Sequence, residues 1–457
     1  MPAPAPSSSA AGVRRRAPDA PRWERYGLAG LLLAVIVVGG LVVIAPADST
    51  ATDRRVAVQA LLDAWAGAIR AGDEDALAAV IDPDAARGLL TAELRRMSAL
   101  AAVPLADFGY ELGPEPLTPV AGDVAARFGD DPVSEATVYL RYAVDGIDEP
   151  PTRKPVTALL VERPSGWRLV DDEAAAADPG GDSGTWRGPW DYGPLVVLDT
   201  GTAGGSSLVM GHPDRRELIE AVAAELGSAV DAVSEVWGAT WSQRALVVVT
   251  GSQEEFTHLV GTSHNGAEIA AVAVSDAVDP ARDTATGQRI VFSPTAGERL
   301  SRAGLRAVLR HELVHIAARS RTVDGSPLWI LEGYADYIGY RGSHGDRVVG
   351  GDVARIAPAL TEKVRGTGPP VALPPDGDFT DPIRSRAAYE TSWSLAAFTA
   401  DQFGLDRLTS LYRALAAGPV PAGRLDAVLS ETTGLDTDTF LERWARWLSA
   451  NVDSVRG

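Results

Sequence analysis

SRAGLRAVLRHELVHIAARSR, residues 301–321, and TVDGSPLWILEGYADYIGY, residues 322–340, together decide how the chain is read. The first carries Leu305, Val308, Leu309, Leu313 and Ile316 at helix-compatible spacing, with no break after Gly304. The 457 residues include six histidines, and two of them, His311 and His315, stand four apart around Glu312. Residues i and i+4 share one face of a helix, so the two imidazoles can serve one ion. Glu312, about 100° around the helix, lies close enough to reach water held there. The alternative is a pair of coincidental histidines, each satisfied in a core, and a third ligand would displace it.

The second stretch supplies that ligand. After the turn RTVDGSP, Ser326 is expected to cap a helix whose first residue is Pro327. Glu332 stands seventeen residues after His315, and Asp336 follows four later on the same face. Two histidines and a carboxylate leave a fourth position for water, the open arrangement of a catalytic site holding one Zn2+ ion. Asp336 suits a supporting role, accepting the other ring N–H of a ligand histidine and fixing its tautomer. An exposed helix glutamate is the plainer reading of Glu332, but Trp329, Leu331, Gly333 and Ala335 make its surroundings apolar.

On HELVH, on WILEGYADY and on the strand QRIVFSP entering the first helix, the chain resembles the gluzincin metallopeptidases, a peptidase-MA-like group with thermolysin-like and aminopeptidase-like members. The resemblance covers about residues 190–450. It implies a zincin-like domain with a largely helical C-terminal part, zinc on His311, His315 and Glu332, and Glu312 as general base. It also implies a Tyr or His donor facing the oxyanion. Tyr389, in RAAYETSWSLAAFTADQFG, is the best positional match, although a core tyrosine with its hydroxyl at the surface fits as well. His344, in RGSHGD, reads better as a loop residue. No Gly-x-Met-Glu-Asn exopeptidase motif is present, which leaves endopeptidase action as the expectation. AAVAVSD, residues 270–276, reads as a core strand, or as a sheet edge on which an extended peptide could lie.

The remainder supports a fold class of α+β with an N-terminal transmembrane helix. Residues 26–45, YGLAGLLLAVIVVGGLVVIA, contain no charge over a bilayer-spanning length. Five arginines against two acids precede them, which orients a disordered tail, residues 1–25, to the cytoplasm and everything after Ala45 to the outside. Residues 53–101 have helical spacing, and ATVYLRYAVDG and PVTALLVERPSGWRLVDD read as strands. Residues 53–173 resemble the nuclear-transport-factor-like cone fold in pattern, with no clustered acid-base pair. Residues 174–189, rich in Ala, Gly, Asp and Pro, read as a linker. PLVVLDT, ALVVVTG and the amphipathic ELIEAVAAELGSAVDAVSEVWG then open the domain that carries the histidines.

A formal charge of -19 argues against nucleic-acid binding, and the absence of cysteine excludes disulfides, thiolate ligands and a cysteine nucleophile. The expected function is a membrane-anchored, outward-facing zinc peptidase acting on peptide or protein substrates. Two alternatives stay open: an anchored, non-catalytic binding protein that retains the metal site, and hydrolysis of a non-peptide amide.

Overall fold

The computed structural model describes residues 49–173, 184–261, 269–342 and 350–453, and the chain divides into two compact units, Met1–Val56 and Ala57–Gly457. Of the first unit, the described residues are the opening turns of helix α1 (Ser49–Ala71). Among the described residues no helix is long and apolar enough to cross a membrane. The 23-residue α1 has sufficient length, but Asp53, Arg54, Arg55, Asp63 and Arg70 are spread along it, and each charge at a bilayer centre costs about 3 kcal/mol. The transmembrane element of the expected fold class, its membrane contact and the single-pass localisation built on it are corrected accordingly. Residues 1–25 and 26–45, on which that expectation was based, lie outside the described residues.

The second unit starts with the buried stripe of α1, where Val58, Leu61, Leu62, Trp65 and Ile69 recur at helical spacing. Helices α2 (Glu74–Val80) and α3 (Leu89–Leu100) follow. Asp73 caps α2 by accepting the Ala76 amide at 2.9 Å. Five antiparallel strands come next: β1 (Leu105–Leu112), β2 (Thr118–Pro119), β3 (Val133–Val144), β4 (Thr152–Arg163) and β5 (Gly166–Asp171). They pair in the order β1-β3-β4-β5, with β2 beside β3.

A second sheet contains β6 (Val196–Thr202), β7 (Gly205–Gly211), β8 (Leu246–Val249), β9 (Ala271–Val274) and, after the small hairpin β10 (Ala277–Asp279) and β11 (Thr284–Thr286), β12 (Arg289–Phe292). Its order is β6-β7-β8-β12-β9, parallel in the middle and antiparallel at both ends. Helices α4 (Arg216–Trp237) and α5 (Gln253–Val260) lie between its strands in sequence. The helical part includes α6 (Arg302–Ala318), α7 (Leu328–Tyr340), α8 (Pro358–Thr367), α9 (Ser385–Phe403), α10 (Leu405–Leu415), α11 (Ala422–Thr433) and α12 (Thr437–Asp453), with a short helix, Gly350–Ile356, between α7 and α8.

The strand period of two sorts the second sheet's side chains into two cores. Val209, Val247, Val249, Ile290 and Phe292 pack with α4, α6, α7 and α9. Leu208, Met210, Leu246 and Val248 point the other way and join Trp190 and Leu195 in the core of α1–α3 and the first sheet. A strand buried on both faces has no polar side to show, which accounts for the unbroken LVVV of β8.

Charges reinforce this shared core. Arg96 on α3, almost wholly buried, meets Glu93, reaches Asp172 at 2.8 Å and Asp191 at 2.5 Å, and so ties the first sheet's last strand to the entry of the second sheet. Arg289 on β12 grips Asp148, in the β3–β4 connection, with two hydrogen bonds of 2.6 and 2.7 Å. A guanidinium clamped this way is an expensive group to strand without its partner. Glu225 on α4 accepts from Arg302 at 2.7 Å and from Arg306 at 2.9 Å, holding α4 against the start of α6.

Two of these carboxylates set an acid limit. Burial alone would raise Asp172, but the hydrogen bond from Arg187 and the charges of Arg96 and Arg187 pull it down to about 2. Hydrogen bonds from Arg306 and Arg302 overcome burial and hold Glu225 at about 2. A carboxylate whose folded pKa lies below its unfolded value stabilises the fold above the unfolded value and loses that contribution as pH falls through the folded one. Urea denaturation should therefore show these two contributions intact above about pH 5 and lost progressively between about pH 4 and 2. Glu225→Gln should be less stable near neutrality and show a shallower decline across that acid window.

Candidate metal centre

Ser301 Oγ accepts the Gly304 amide at 3.2 Å and starts α6. Leu305, Leu309, Leu313 and Ile316 then enter the core and fix the helix's rotation. That rotation puts His311 and His315 on the opposite side, facing α7. Their Nε2 atoms are 3.1 Å apart, and Glu332 Oε2 lies 3.3 Å from the first and 3.6 Å from the second. Donors about 2.0–2.1 Å from a tetrahedral zinc stand roughly 3.3 Å from one another, so these separations match three corners of one coordination tetrahedron. Among the described residues, these three form a group whose donor atoms could hold a metal ion. Their side chains are 15%, 23% and 16% exposed, so the cluster is open on one side.

The surrounding groups orient the donors. Asp336 Oδ1 accepts the His311 Nδ1 proton at 2.9 Å, which turns Nε2 toward Glu332. Burial would depress the His311 imidazole, but the hydrogen bond to Asp336 and the charges of Asp336, Glu332 and Glu312 hold it well above its ordinary value. A bound cation therefore competes with a proton for this nitrogen. Burial also works against ionised Glu332, and the two imidazoles overcome it and hold the carboxyl well below the usual range. Glu312 is pushed the other way: burial raises it, and the histidines offset that only in part. Its Oε2 accepts the Ala273 amide of β9 at 2.7 Å.

α7 reaches the cluster because two glycines let it approach its neighbours closely. A Cβ on Gly333 would stand 2.4 Å from the Ser392 carbonyl oxygen of α9, and one on Gly339 would stand 2.7 Å from the Ala307 carbonyl oxygen of α6. The start of α7 differs from the expectation. Pro327 is its N-cap, and Asp376, forty-eight residues on, accepts the Leu328 amide at 2.9 Å. Ser326 is engaged elsewhere, donating to the Val323 carbonyl at 2.7 Å and accepting the Gly418 amide at 3.0 Å.

Tyr389, on α9, packs edge-on against Phe379 with ring centres 5.1 Å apart. Its phenol is pushed above the ordinary range by the charge of Glu332 first, then by burial, Asp336 and Glu312. The hydroxyl is thus within electrostatic reach of the cluster. His344 lies outside the described residues. Two other described histidines sit elsewhere: His212 pairs with Glu255 at 3.0 Å, and His258 meets Tyr192. Sequence reasoning missed the Ala273 amide and the Asp376 cap; only the two glycines within an apolar helix left a readable trace.

Among solved structures the chain is similar to zinc metallopeptidases of the M1 type. A mutant M1 zinc metallopeptidase from Deinococcus radiodurans is 13% identical over 68% of this chain and 61% of that one, with a TM-score of 0.34. The unmutated enzyme gives 14% identity over the same shares and a TM-score of 0.33. A protein of unknown function from Mycobacterium tuberculosis aligns with 31% of this chain and 83% of its own length at 15% identity, with a TM-score of 0.20. The match thus spans only 61% of the length of the Deinococcus peptidase. With TM-scores below 0.5 these likenesses carry no argument about this chain, whose reading stands on the geometry of its site. No protein-family model and no curated protein matches it.

Gly333→Ala should separate α7 from α9, cost about 1–3 kcal/mol in chemical denaturation and weaken metal binding by roughly tenfold or more. Gly423 of α11 has open space where a Cβ would go. Gly423→Ala should leave both measurements unchanged or slightly improve stability.

Proposed function

We propose that this protein is a zinc-dependent peptidase in which His311, His315 and Glu332 hold the metal and Glu312 is the general base. The observation that carries this reading is the triangle of donor atoms at 3.1, 3.3 and 3.6 Å, with a buried carboxylate one residue along the same helix. Zinc bound there supplies Lewis acidity toward a scissile carbonyl and lowers the pKa of water toward about 7.

The chain's own residues do the rest. Asp336 keeps the His311 proton on Nδ1, so that Nε2 presents its lone pair to the cluster. Glu312 has one oxygen fixed by the Ala273 amide and the other available to take a proton from the attacking water and pass it to the departing amine nitrogen. Its raised pKa suits a group that must both accept and return that proton. Tyr389 O–H donates to the carbonyl oxygen as negative charge develops there, a role supported by its electrostatic coupling to Glu332. β9 forms the end of its sheet, and among the described residues no strand pairs with its outer edge. An extended peptide can add to that edge through backbone hydrogen bonds, with chain running on in both directions, which favours endopeptidase action.

Purified full-length protein should bind one zinc per chain and cut peptides from a mixed library, with chelation abolishing cleavage. Glu312→Gln should keep the zinc and lower kcat by roughly 10²–10⁴. Absence of stoichiometric zinc, or proteolysis unchanged in Glu312→Gln, rules the reading out. Tyr389→Phe should lower kcat by about 10²–10³ with KM little changed, the signature of a donor used in the transition state.

A further inference from the structure

Arg319 closes α6 and continues the His311–His315 line by one more turn. Its Nε donates to Ser275 Oγ at 3.2 Å, just as Glu312 accepts the Ala273 amide at 2.7 Å. α6 therefore meets this segment at two points two residues apart, the Ala273 amide in β9 beside the metal cluster and the Ser275 hydroxyl just past the end of the strand. That step along a strand is roughly 7 Å.

We propose that Arg319 selects substrates by binding a peptide carboxylate about two residues from the bond that is cut, an inference that rests on the peptidase reading and its use of the β9 edge. Each guanidinium nitrogen has a partner, but its one charged partner is exposed. Its Nη1 donates to the Thr322 carbonyl at 3.0 Å, and its Nη2 to Asp324 at 2.9 Å, a side chain 88% exposed. An ion pair to so exposed a carboxylate is screened by water and gives way readily to another carboxylate brought in by a bound chain. Arginine offers such a group two parallel N–H donors, a geometry that an amide or an ammonium does not match. The other charges nearby cancel in pairs, so the Arg319–Asp324 pair is the one a substrate carboxylate can exchange into. Asp276, next to Ser275, is neutralised by Lys154, while Arg321 and Asp283 are committed to each other through paired hydrogen bonds. The carboxylate can belong to an Asp or Glu side chain or to the peptide's C-terminus.

Binding and cleavage separate this inference from the reading beneath it. Fluorescent peptides carrying Glu or its isostere Gln at each position in turn, with free-acid or amidated C-termini, are titrated into zinc-loaded, full-length Glu312→Gln protein. One position should show a Glu-over-Gln preference of roughly tenfold or more; a preference confined to free-acid peptides identifies the C-terminus as the group bound. Adding Arg319→Glu should abolish that preference and favour Lys at the same position. Arg319→Lys should retain part of it, and Asp324→Asn should enlarge it. A preference that survives Arg319→Glu, or no preference at any position, overturns the inference. If wild-type protein cuts no peptide while the Arg319-dependent preference persists, the peptidase reading fails and the carboxylate site stands.

Discussion

The site depends on how closely α7 can approach its neighbours. Two histidines on one helix are a local matter, settled by the helical repeat, but the third donor comes from another helix and has to arrive within about an ångström of the right place. At Gly333 and Gly339 even a methyl group would meet a backbone carbonyl, of α9 on one side and of α6 on the other. Carbonyls cannot swing aside as a flexible side chain can, so α7 sits as deep as a helix without side chains at those points allows. Glu332 precedes Gly333 directly, and Asp336 lies between the two glycines. The carboxylate that faces both imidazoles and the one that orients His311 are therefore set by the same two contacts.

The sheet beneath α6 is fixed by burial on both faces. Alternate residues of β7 and β8 belong to different cores, so neither core can shift without the other. Arg96 and Arg289 add direction to this apolar contact, because each must meet its carboxylates in one orientation or leave a buried charge unpaired. β12, which carries Arg289, is also the strand on which β9 is laid. A chain of buried contacts thus runs from Asp148, in the first sheet's β3–β4 connection, to the Ala273 amide beside Glu312.

What could be read from the residues was mostly what repeats at short range. The four-residue spacings of His311 with His315 and of Glu332 with Asp336, the stripe of α1 and the alternation of β3 and β4 all express a local period. Contacts between distant residues had no such signature. Ser326 had the chemistry of a cap and the right position, yet tertiary structure gave its hydroxyl to Val323 and Gly418 and gave the cap to Asp376. β7, GSSLVMG, begins with residues poor in strand propensity and is held by β6 and β8 on either side. The outer position of β9 follows from the strand order, which the alternation of a four-residue strand cannot reveal. The membrane expectation rested on an uncharged apolar run and the arginines before it, in residues outside those described, and the described helix of comparable length is charged along its course.

On the proposed reading, Ala273 shows why Glu312 and the strand edge are best considered together. Its amide points away from β12, as does every second amide of an edge strand, and so belongs to the set available to an added chain. Here that amide is already given to Glu312. A peptide laid along the edge must therefore either leave this donor with the carboxylate and pair through the neighbouring outward groups, or take it and release the carboxylate toward its own scissile bond. In the first case Glu312 keeps a fixed orientation throughout; in the second, binding itself frees its carboxylate. Either way the amide links occupancy of the strand edge to the state of the carboxylate. This coupling comes from backbone direction, and a change of side chain at position 273 leaves it in place unless the new residue is proline.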